Sequence, residues 1–370
     1  LTLRWFGSAA ARERGENAVS DVFSYEVLAA RILFGPGRLA EAGQEMARLR
    51  CGRALILTTA SQAPAGERLS DALGPRAVGL FAGAVMHTPV EVTEAALGVV
   101  ASTRADCVIA YGGGSTIGLG KAIALRTNLP QIVIPTTYAG SEVTPILGET
   151  QAGLKITKRD PRILPATVIY DPELTLQLPV AVSMASGLNA MAHALEGLYA
   201  QDRNPVSTLQ ALAGIEALYG ALPAILANPA NRAARSAALY GAWLCGTVLG
   251  TVGMSLHHKL CHTLGGSFGL PHAETHAVIL PQALAYNEDG ARAALAPLTG
   301  LFGPRLGAGL FDFTVRLGVP LSLRALGLAE SDLDRATRIA TQNPYWNPVP
   351  VEPAGIQRLL QAAWAGRRPD

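Results

Sequence analysis

The sequence predicts two unlike parts: an α/β domain built on a parallel sheet with flanking helices, followed by an all-α domain. Three observations predict this. Residues 30–175 alternate short β-branched runs with helical stretches, the pattern of parallel strands joined by crossover helices. After about Pro179 strand-like runs nearly vanish and long Ala/Leu-rich segments take over. A chain of 370 residues also suits two domains at roughly 150 residues each. The expected division is a loose extension over 1–21, the α/β part over 22–178 and the helical part over 179–370.

The candidate strands are ARILFG (30–35), ALILTT (54–59), AVGLF (77–81), CVIAYGG (107–113), QIVIPTT (131–137) and ATVIYD (166–171). Helical stretches such as VEVTEAALGVVAST (90–103) separate most of them. Glu149 to Arg162 is polar and irregular, which predicts a loop or small hairpin. In the second half, helices are predicted over 186–200, 205–226, 233–264 and 272–287, with shorter ones to the end.

Composition narrows the function. Thirty basic against 28 acidic side chains give a net charge of +2, which argues against a nucleic-acid or acidic-surface partner. Charged residues make up 16% and apolar ones 49%, so large buried elements and a subunit interface are affordable. Cys51, Cys107, Cys245 and Cys261 stand singly with no CxxC spacing, as in a reducing compartment. Residues 1–21 hold five charges of mixed sign between Arg4 and Glu16 and lack an apolar run, so a secretory signal is not expected. Ser236 to Leu256 is uncharged and long enough to span a bilayer. Four glycines dilute it and it runs into His257, His258 and His262, so a buried core helix in a cytoplasmic protein is expected.

Two strand ends carry ligand-binding features. CVIAY leads into Gly112-Gly113-Gly114-Ser115 and then a helix. Glycines at such a turn admit a phosphate to free N–H groups at the positive end of the helix. The spacing fits neither GxGxxG nor a P-loop, and a plain tight turn reads equally well. The neighbouring strand ends in Thr136, Thr137, Tyr138 and Ser141, where the switch-point rule places ligands, and together the two ends favour a dinucleotide. Thr58 and Thr59 end another strand with no carboxylate nearby. A carboxylate there would hold a ribose 2′-OH and repel a 2′-phosphate, so its absence leaves NADPH as acceptable as NADH.

Six of the seven histidines lie between 193 and 276. Asn189 and His193, His258 and His262, and His272 and His276 are each four apart, so each pair shares a helix face. Two chemistries suit the cluster: a metal held by imidazoles, or an anion-binding and proton-relay pocket. Glu196 and Glu274 are carboxylates placed to orient such rings.

Several stretches resemble the iron-containing (group III) alcohol dehydrogenases, and within them the maleylacetate reductase branch. They are FSYEVLAARILFGPG (23–37), YGGGSTIGLGKAIAL (111–125), TTYAGSEVTP (136–145), SGLNAMAHALEGLYA (186–200), LHHKLCHTLGGSFGLPHAETHAVILP (256–281) and NPYWNP (343–348). The resemblance implies a dehydroquinate synthase-like architecture, a dinucleotide-binding α/β domain before a helical catalytic domain, and a homodimer. It places Gly112, Gly113, Gly114 and Ser115 on the pyrophosphate, Thr136, Thr137 and Ser141 along the cofactor, and Lys155 near its ribose. His193, His258 and His272 fall on three of the four metal positions of iron-dependent relatives, and His262 near the nicotinamide. The fourth metal position, an Asp in those relatives, is Asn189 here, which removes the anionic ligand and makes a bound metal doubtful.

The implied reaction is NAD(P)H-dependent reduction of maleylacetate to 3-oxoadipate in aromatic-compound degradation. His193, His258, His262 and His272 would be catalytic, and Tyr138, His257 and Asn189 would bind substrate. Leu147 and Val349 stand where the branch commonly has Trp and Arg, which keeps open a different enoyl or carbonyl substrate from a biosynthetic pathway. An NAD-using lyase or cyclase on the same scaffold is a further alternative, and it would need a tightly held metal.

Overall fold

The structure is a computed structural model that describes residues 23–370 except 27, 29, 152, 153, 344 and the side chains of 154 and 155. The expected extension lies outside the described residues. Six strands, β1 (Arg31–Phe34), β2 (Ala54–Leu57), β3 (Ala77–Phe81), β4 (Cys107–Gly112), β5 (Gln131–Pro135) and β8 (Thr167–Tyr170), form one sheet in the order β1-β8-β5-β4-β2-β3. Every pairing in it is parallel. β6 (Ile146–Gln151) and β7 (Leu154–Arg159) make an antiparallel hairpin where an irregular segment or small hairpin was expected.

Strand periodicity explains the two layers over the sheet. Ile56 and Ile109 point to one face, where they meet Met46 of α1 (Ala42–Arg48) and Leu69 and Leu73 of α2 (Ala63–Leu73). Leu55, Leu57 and Val108 point to the other, against α3 (Val90–Thr103) and α4 (Gly114–Thr127). Strands buried on both faces read as continuous apolar runs, which is why these were legible as parallel strands. The chain passes outward from β2 to β3 and then crosses back to β4, so β2 and β4 are neighbours whose outgoing helices cover opposite faces. That junction is a topological switch point, and its carboxyl ends are Thr58 and Gly112.

The helical half starts at α5 (Val180–Leu198), which is buried without interruption from Ser183 onward. Its Ala, Gly, Met and Leu residues allow α6 (Pro205–Ala227) and α7 (Arg232–Thr251) to pack closely on it. Each fully buried Leu there, such as Leu188 and Leu195, contributes about 1.5–3 kcal/mol. Asn204 caps α6 through the backbone N–H groups of Val206 and Ser207. One apolar cluster joins Val133, Val168 and Tyr170 of the sheet to Leu188, Met191 and Leu195 of α5, so the two halves share a core.

The single segment expected over 233–264 is two helices, α7 and α8 (Leu256–Phe268), meeting at 95°. Val252 is extended, Gly253 N donates to Asp202 Oδ1, and Ser255 N donates to Glu196 Oε2. The break is therefore made by contacts distant in sequence. α9 (His272–Asn287) follows as expected, and α10 (Arg292–Leu295), α11 (Thr299–Phe302), α12 (Leu306–Arg316), α13 (Leu333–Thr341) and α14 (Pro353–Ala365) complete the domain.

Candidate active site

A cavity of about 620 Å³ runs from the β4–α4 turn to the helices carrying histidines. That volume lies inside the roughly 300–1,000 Å³ of ordinary ligand sites. At the sheet end Gly114, Ser115, Thr137 and Ser141 border it; at the helical end Asn189, His193, His258, His262, His272 and His276 do. The turn is built for close approach. A Cβ on Gly113 would come within 2.8 Å of Thr137 Cγ2, whereas nothing lies within 4 Å of the Cβ position of Gly114. The first N–H groups of α4 thus face open space, the geometry that receives a pyrophosphate.

Gly112 and Gly113 form the turn behind this surface. Thr136 is buried and accepts from Gln62 Nε2, tying the β5 end to the β2 end across the switch point. The Lys155 side chain lies outside the described residues. His87 and Thr88, on the rim beside Ser115, both have positive φ, 65° and 45°. Such conformations cost non-glycine residues about 1–3 kcal/mol each and gather at ligand-binding loops.

At the helical end, Asn189, His193 and Glu196 lie on one face of α5 by their spacing of four and three. Glu196 sits at the N-terminus of α8 and accepts from Ser255 N, Ser255 Oγ and His257 N at 2.7–3.0 Å and from His258 Nδ1 at 2.6 Å. The carboxylate completes unpaired N–H groups at the positive end of the helix and fixes the His258 ring. His258 Nε2 lies 2.8 Å from His193 Nδ1, and His193 Nε2 lies 3.2 Å from the Ala139 carbonyl oxygen.

Three links thus join a carbonyl, which only accepts, to the Glu196 carboxyl group through four ring nitrogens. The carbonyl requires the proton of His193 to sit on Nε2. Burial, first of all, holds His193 well below the ordinary histidine range, as does the neighbouring His258. The Ala139 carbonyl that ends the chain is held by Gly140 and Gly246: a Cβ on Gly246 would come within 2.0 Å of Gly140 O.

Two expected substrate contacts, Tyr138 and His257, do not border the cavity. Tyr138 is fully buried away from the cavity, its hydroxyl accepting from Arg235 Nη1, because the guanidinium inside the helical half draws the ring inward. His257 is also fully buried; its Nε2 donates to the His276 carbonyl, which turns the ring behind the cavity wall. Four residues without an expected role belong to the site. His276 borders the cavity, and its spacing from His272 was the available signal. Lys121 and Arg159 border it too, as does Thr88. Nothing in the sequence around Arg159 marks it, since only the β6–β7 register, pairing Ile146 with Arg159, brings it to the rim. Leu147 lines the wall, while Val349 packs on Gly290 and does not border the cavity.

A phosphate-receptive helix start at a sheet switch point, opening onto imidazoles, defines a nicotinamide-dependent oxidoreductase. The chain belongs to the iron-containing alcohol dehydrogenase family: residues 29–172 match the model for iron-containing alcohol dehydrogenase, and 183–364 that for the Fe-containing alcohol dehydrogenase family, C-terminal. It is 59% identical over 348 residues to a maleylacetate reductase of Rhizobium sp. (strain MTP-10005), covering 94% of this chain and 99% of that one. The crystal structure of a maleylacetate reductase from Agrobacterium tumefaciens superposes with a TM-score of 0.91 at 59% identity, covering 94% of this chain and all of that one. A 1,3-propanediol oxidoreductase shares the fold at 25% identity, with a TM-score of 0.86 over 93% of this chain and all of that one.

The donors present do not fit the iron of that family. Asn189 Nδ2 and His193 Nε2 both point at the Ala139 carbonyl oxygen, at 3.5 and 3.2 Å. A carboxylate at 189 would set two acceptors against each other unless a cation lay between them; the amide donates instead. The set offers three imidazoles and an amide, with no carboxylate at 189 to offset a divalent charge.

Proposed function

We propose that this chain is an NAD(P)H-dependent maleylacetate reductase that forms 3-oxoadipate and works without a metal. The observation that carries this reading is the hydrogen-bonded chain Ala139–His193–His258–Glu196, which sets a ring backed by a buried carboxylate at the cavity, suited to act as an imidazolium. Reduction of an alkene conjugated with a ketone builds negative charge on the ketone oxygen, and a positioned imidazolium stabilises that charge and returns a proton to carbon.

The open turn at Gly114 and Ser115 receives the pyrophosphate, and Thr137 and Ser141 line the path toward the histidines. When bound, NADH or NADPH supplies the hydride. His262 and His272 wall the reacting end of the cavity. His258 Nε2 holds the proton, and Glu196 keeps it charged and oriented. Asn189 keeps its amide on Ala139 O and so maintains the carbonyl that His193 needs as its acceptor.

A dicarboxylate also needs a cation at the rim. Lys121 Nζ is fully committed, donating to Ser141 O, Thr144 Oγ1 and Ile146 O, and burial pushes its ammonium down to about 7. Arg159 spends one N–H on Gly250 O and keeps the rest of its fork for a carboxylate. Arg159→Gln is expected to raise the KM for maleylacetate about tenfold or more, with little change in NADH binding, because a charge-assisted hydrogen bond contributes about 1.5–3 kcal/mol. Steady-state kinetics with separate cofactor titration reads this directly.

The switch point carries no carboxylate beside Thr59 at the end of β2 among the described residues, which supports use of both cofactors. Thr59→Asp is expected to weaken NADPH by about tenfold or more relative to NADH, the like-charge effect on a 2′-phosphate. A ratio of the two kcat/KM values checks it. The four cysteines are all free and buried, which supports a cytoplasmic setting, and the family resemblance supports a homodimer. The deciding experiment adds maleylacetate to enzyme and reduced cofactor: stoichiometric loss of reduced nicotinamide with formation of 3-oxoadipate is expected. No oxidation of either cofactor overturns the reading.

A further inference from the structure

We propose that Cys51, Cys107 and Asp106 form a binding site for one thiophilic divalent ion of the zinc type, at the amino end of the sheet. None of the three borders the histidine cavity. The two Sγ atoms and a carboxylate oxygen all lie within 4.8 Å of one another, and the two thiols are hydrogen-bond neighbours. Tetrahedral coordination, with about 2.3 Å to sulfur and 2.0–2.2 Å to oxygen, sets such atoms about 3.6–3.8 Å apart. One ion therefore gathers the three with side-chain shifts of about 1 Å or less.

The backbone brings the ligands together although 55 residues separate Asp106 from Cys51. Arg50 takes a left-handed φ of 58° and Cys51 N donates to Met46 O, which closes the end of α1 and turns Cys51 under the helix. β2 and β4 pair Ala54 with Cys107, and Asp106 N donates to Arg53 O just before that pair. The Asp106 carboxylate is fixed by Gly52 N and Arg53 N, each donating at 2.9 Å. A carboxylate has about four lone-pair directions, so two remain for an ion, and the orienting hydrogen bonds of a ligand are already made. Cys51 Sγ has only the Leu49 and Asp106 carbonyls, at 3.5 and 3.7 Å, so an ion displaces weak contacts there.

The donor set selects the ion. Two thiols favour Zn²⁺ over Mg²⁺ and Ca²⁺. Both are buried, Cys107 completely, and two thiolates neutralise one divalent charge, which keeps the desolvation cost low. Burial, first of all, pushes both thiols above their ordinary range, and nearby Asp106 adds to it. Each ion bound therefore releases two protons, and affinity falls as the pH drops. The cofactor turn at Gly112 stands at the opposite end of β4, roughly 16 Å along the strand. Occupancy thus ties α1 to the amino ends of β2 and β4 without touching the reacting groups.

Co²⁺ titrated into the full chain after chelator treatment tests the proposal without reference to activity. A sulfur-to-cobalt charge-transfer band that saturates at one ion per chain, and is lost on adding Zn²⁺, is expected; imidazoles alone give no such band. Cys51→Ser and Cys107→Ser should each weaken this binding about a hundredfold or more, and Asp106→Asn about tenfold, the scale of losing a ligand or its support. Cys51 ends a helix rather than standing in a strand, so Cys51→Ser keeps the test available should Cys107→Ser fail to fold. Cys245→Ser and Cys261→Ser should leave the band unchanged. Zn²⁺ should raise the urea midpoint of the unaltered chain more than that of Cys51→Ser. Absence of the band in the unaltered chain overturns the proposal. So does a band that survives Cys51→Ser or is lost in Cys261→Ser.

Discussion

Glu196→Gln is expected to lower kcat about a hundredfold while leaving the Kd for NADH within about twofold, the range seen when a carboxylate orienting a functional histidine is lost. The amide cannot balance an imidazolium, and one of its two polar ends would face donors with an N–H. His258 then loses the proton that the Ala139–His193–His258–Glu196 chain requires. Glu196 itself touches neither substrate nor cofactor, so it is a positioning residue, and the split between kcat and cofactor affinity separates this role from general damage. His258→Gln should lower kcat by about 10²–10⁴-fold, the usual contribution of a proton donor. The double variant should fall no further than His258→Gln alone, because the two residues act as one unit. Additive losses would show that Glu196 acts by another route.

The second large effect is acid lability. Burial first, and mutual proximity second, hold His193, His257 and His276 below their ordinary value of 6.5, His257 at about 4. Glu196 faces two of them and works against the shift without cancelling it. The unfolded chain binds these protons more readily than the folded one, so stability is fully present above about pH 6.5 and falls as the pH drops toward the folded values. Since each is half protonated in the unfolded chain at pH 6.5, three groups with a limiting slope of about 1.4 kcal/mol per pH unit remove about 3 kcal/mol between pH 6.5 and 5.5. Urea midpoints measured across that interval should drop steeply. His276→Gln should flatten the slope by about a third, and a midpoint constant down to pH 5 contradicts the burial of these rings as neutral groups.

The fold was readable because its signals are local. Runs such as ALIL and CVIAY are apolar on both faces, and the Ala/Leu-rich stretches after Pro179 mark helices without reference to distant partners. The histidine faces were readable for the same reason: spacing of four on a helix needs no tertiary information. What was not readable depends on partners far along the chain. The break between α7 and α8 is made by Asp202 and Glu196, about fifty to sixty residues upstream of the groups they bind. Tyr138 sits among pocket hydroxyls in sequence, yet Arg235 decides where its ring points. Arg159 reaches the rim only through the hairpin register. The Asn189 substitution was visible as a lost charge. Its positive role, an amide donor to the Ala139 carbonyl, needed the loop held by Gly140 and Gly246.

The most direct measurement follows deuterium from C4-labelled NADH into product, using chelator-treated enzyme and maleylacetate. Label on the former alkene carbon β to the ketone, with the ketone retained and the rate undiminished by chelation, is the predicted result. Label on a carbinol carbon, or a rate abolished by the chelator and restored by Fe²⁺, would contradict a proton-assisted, metal-free reduction of the double bond.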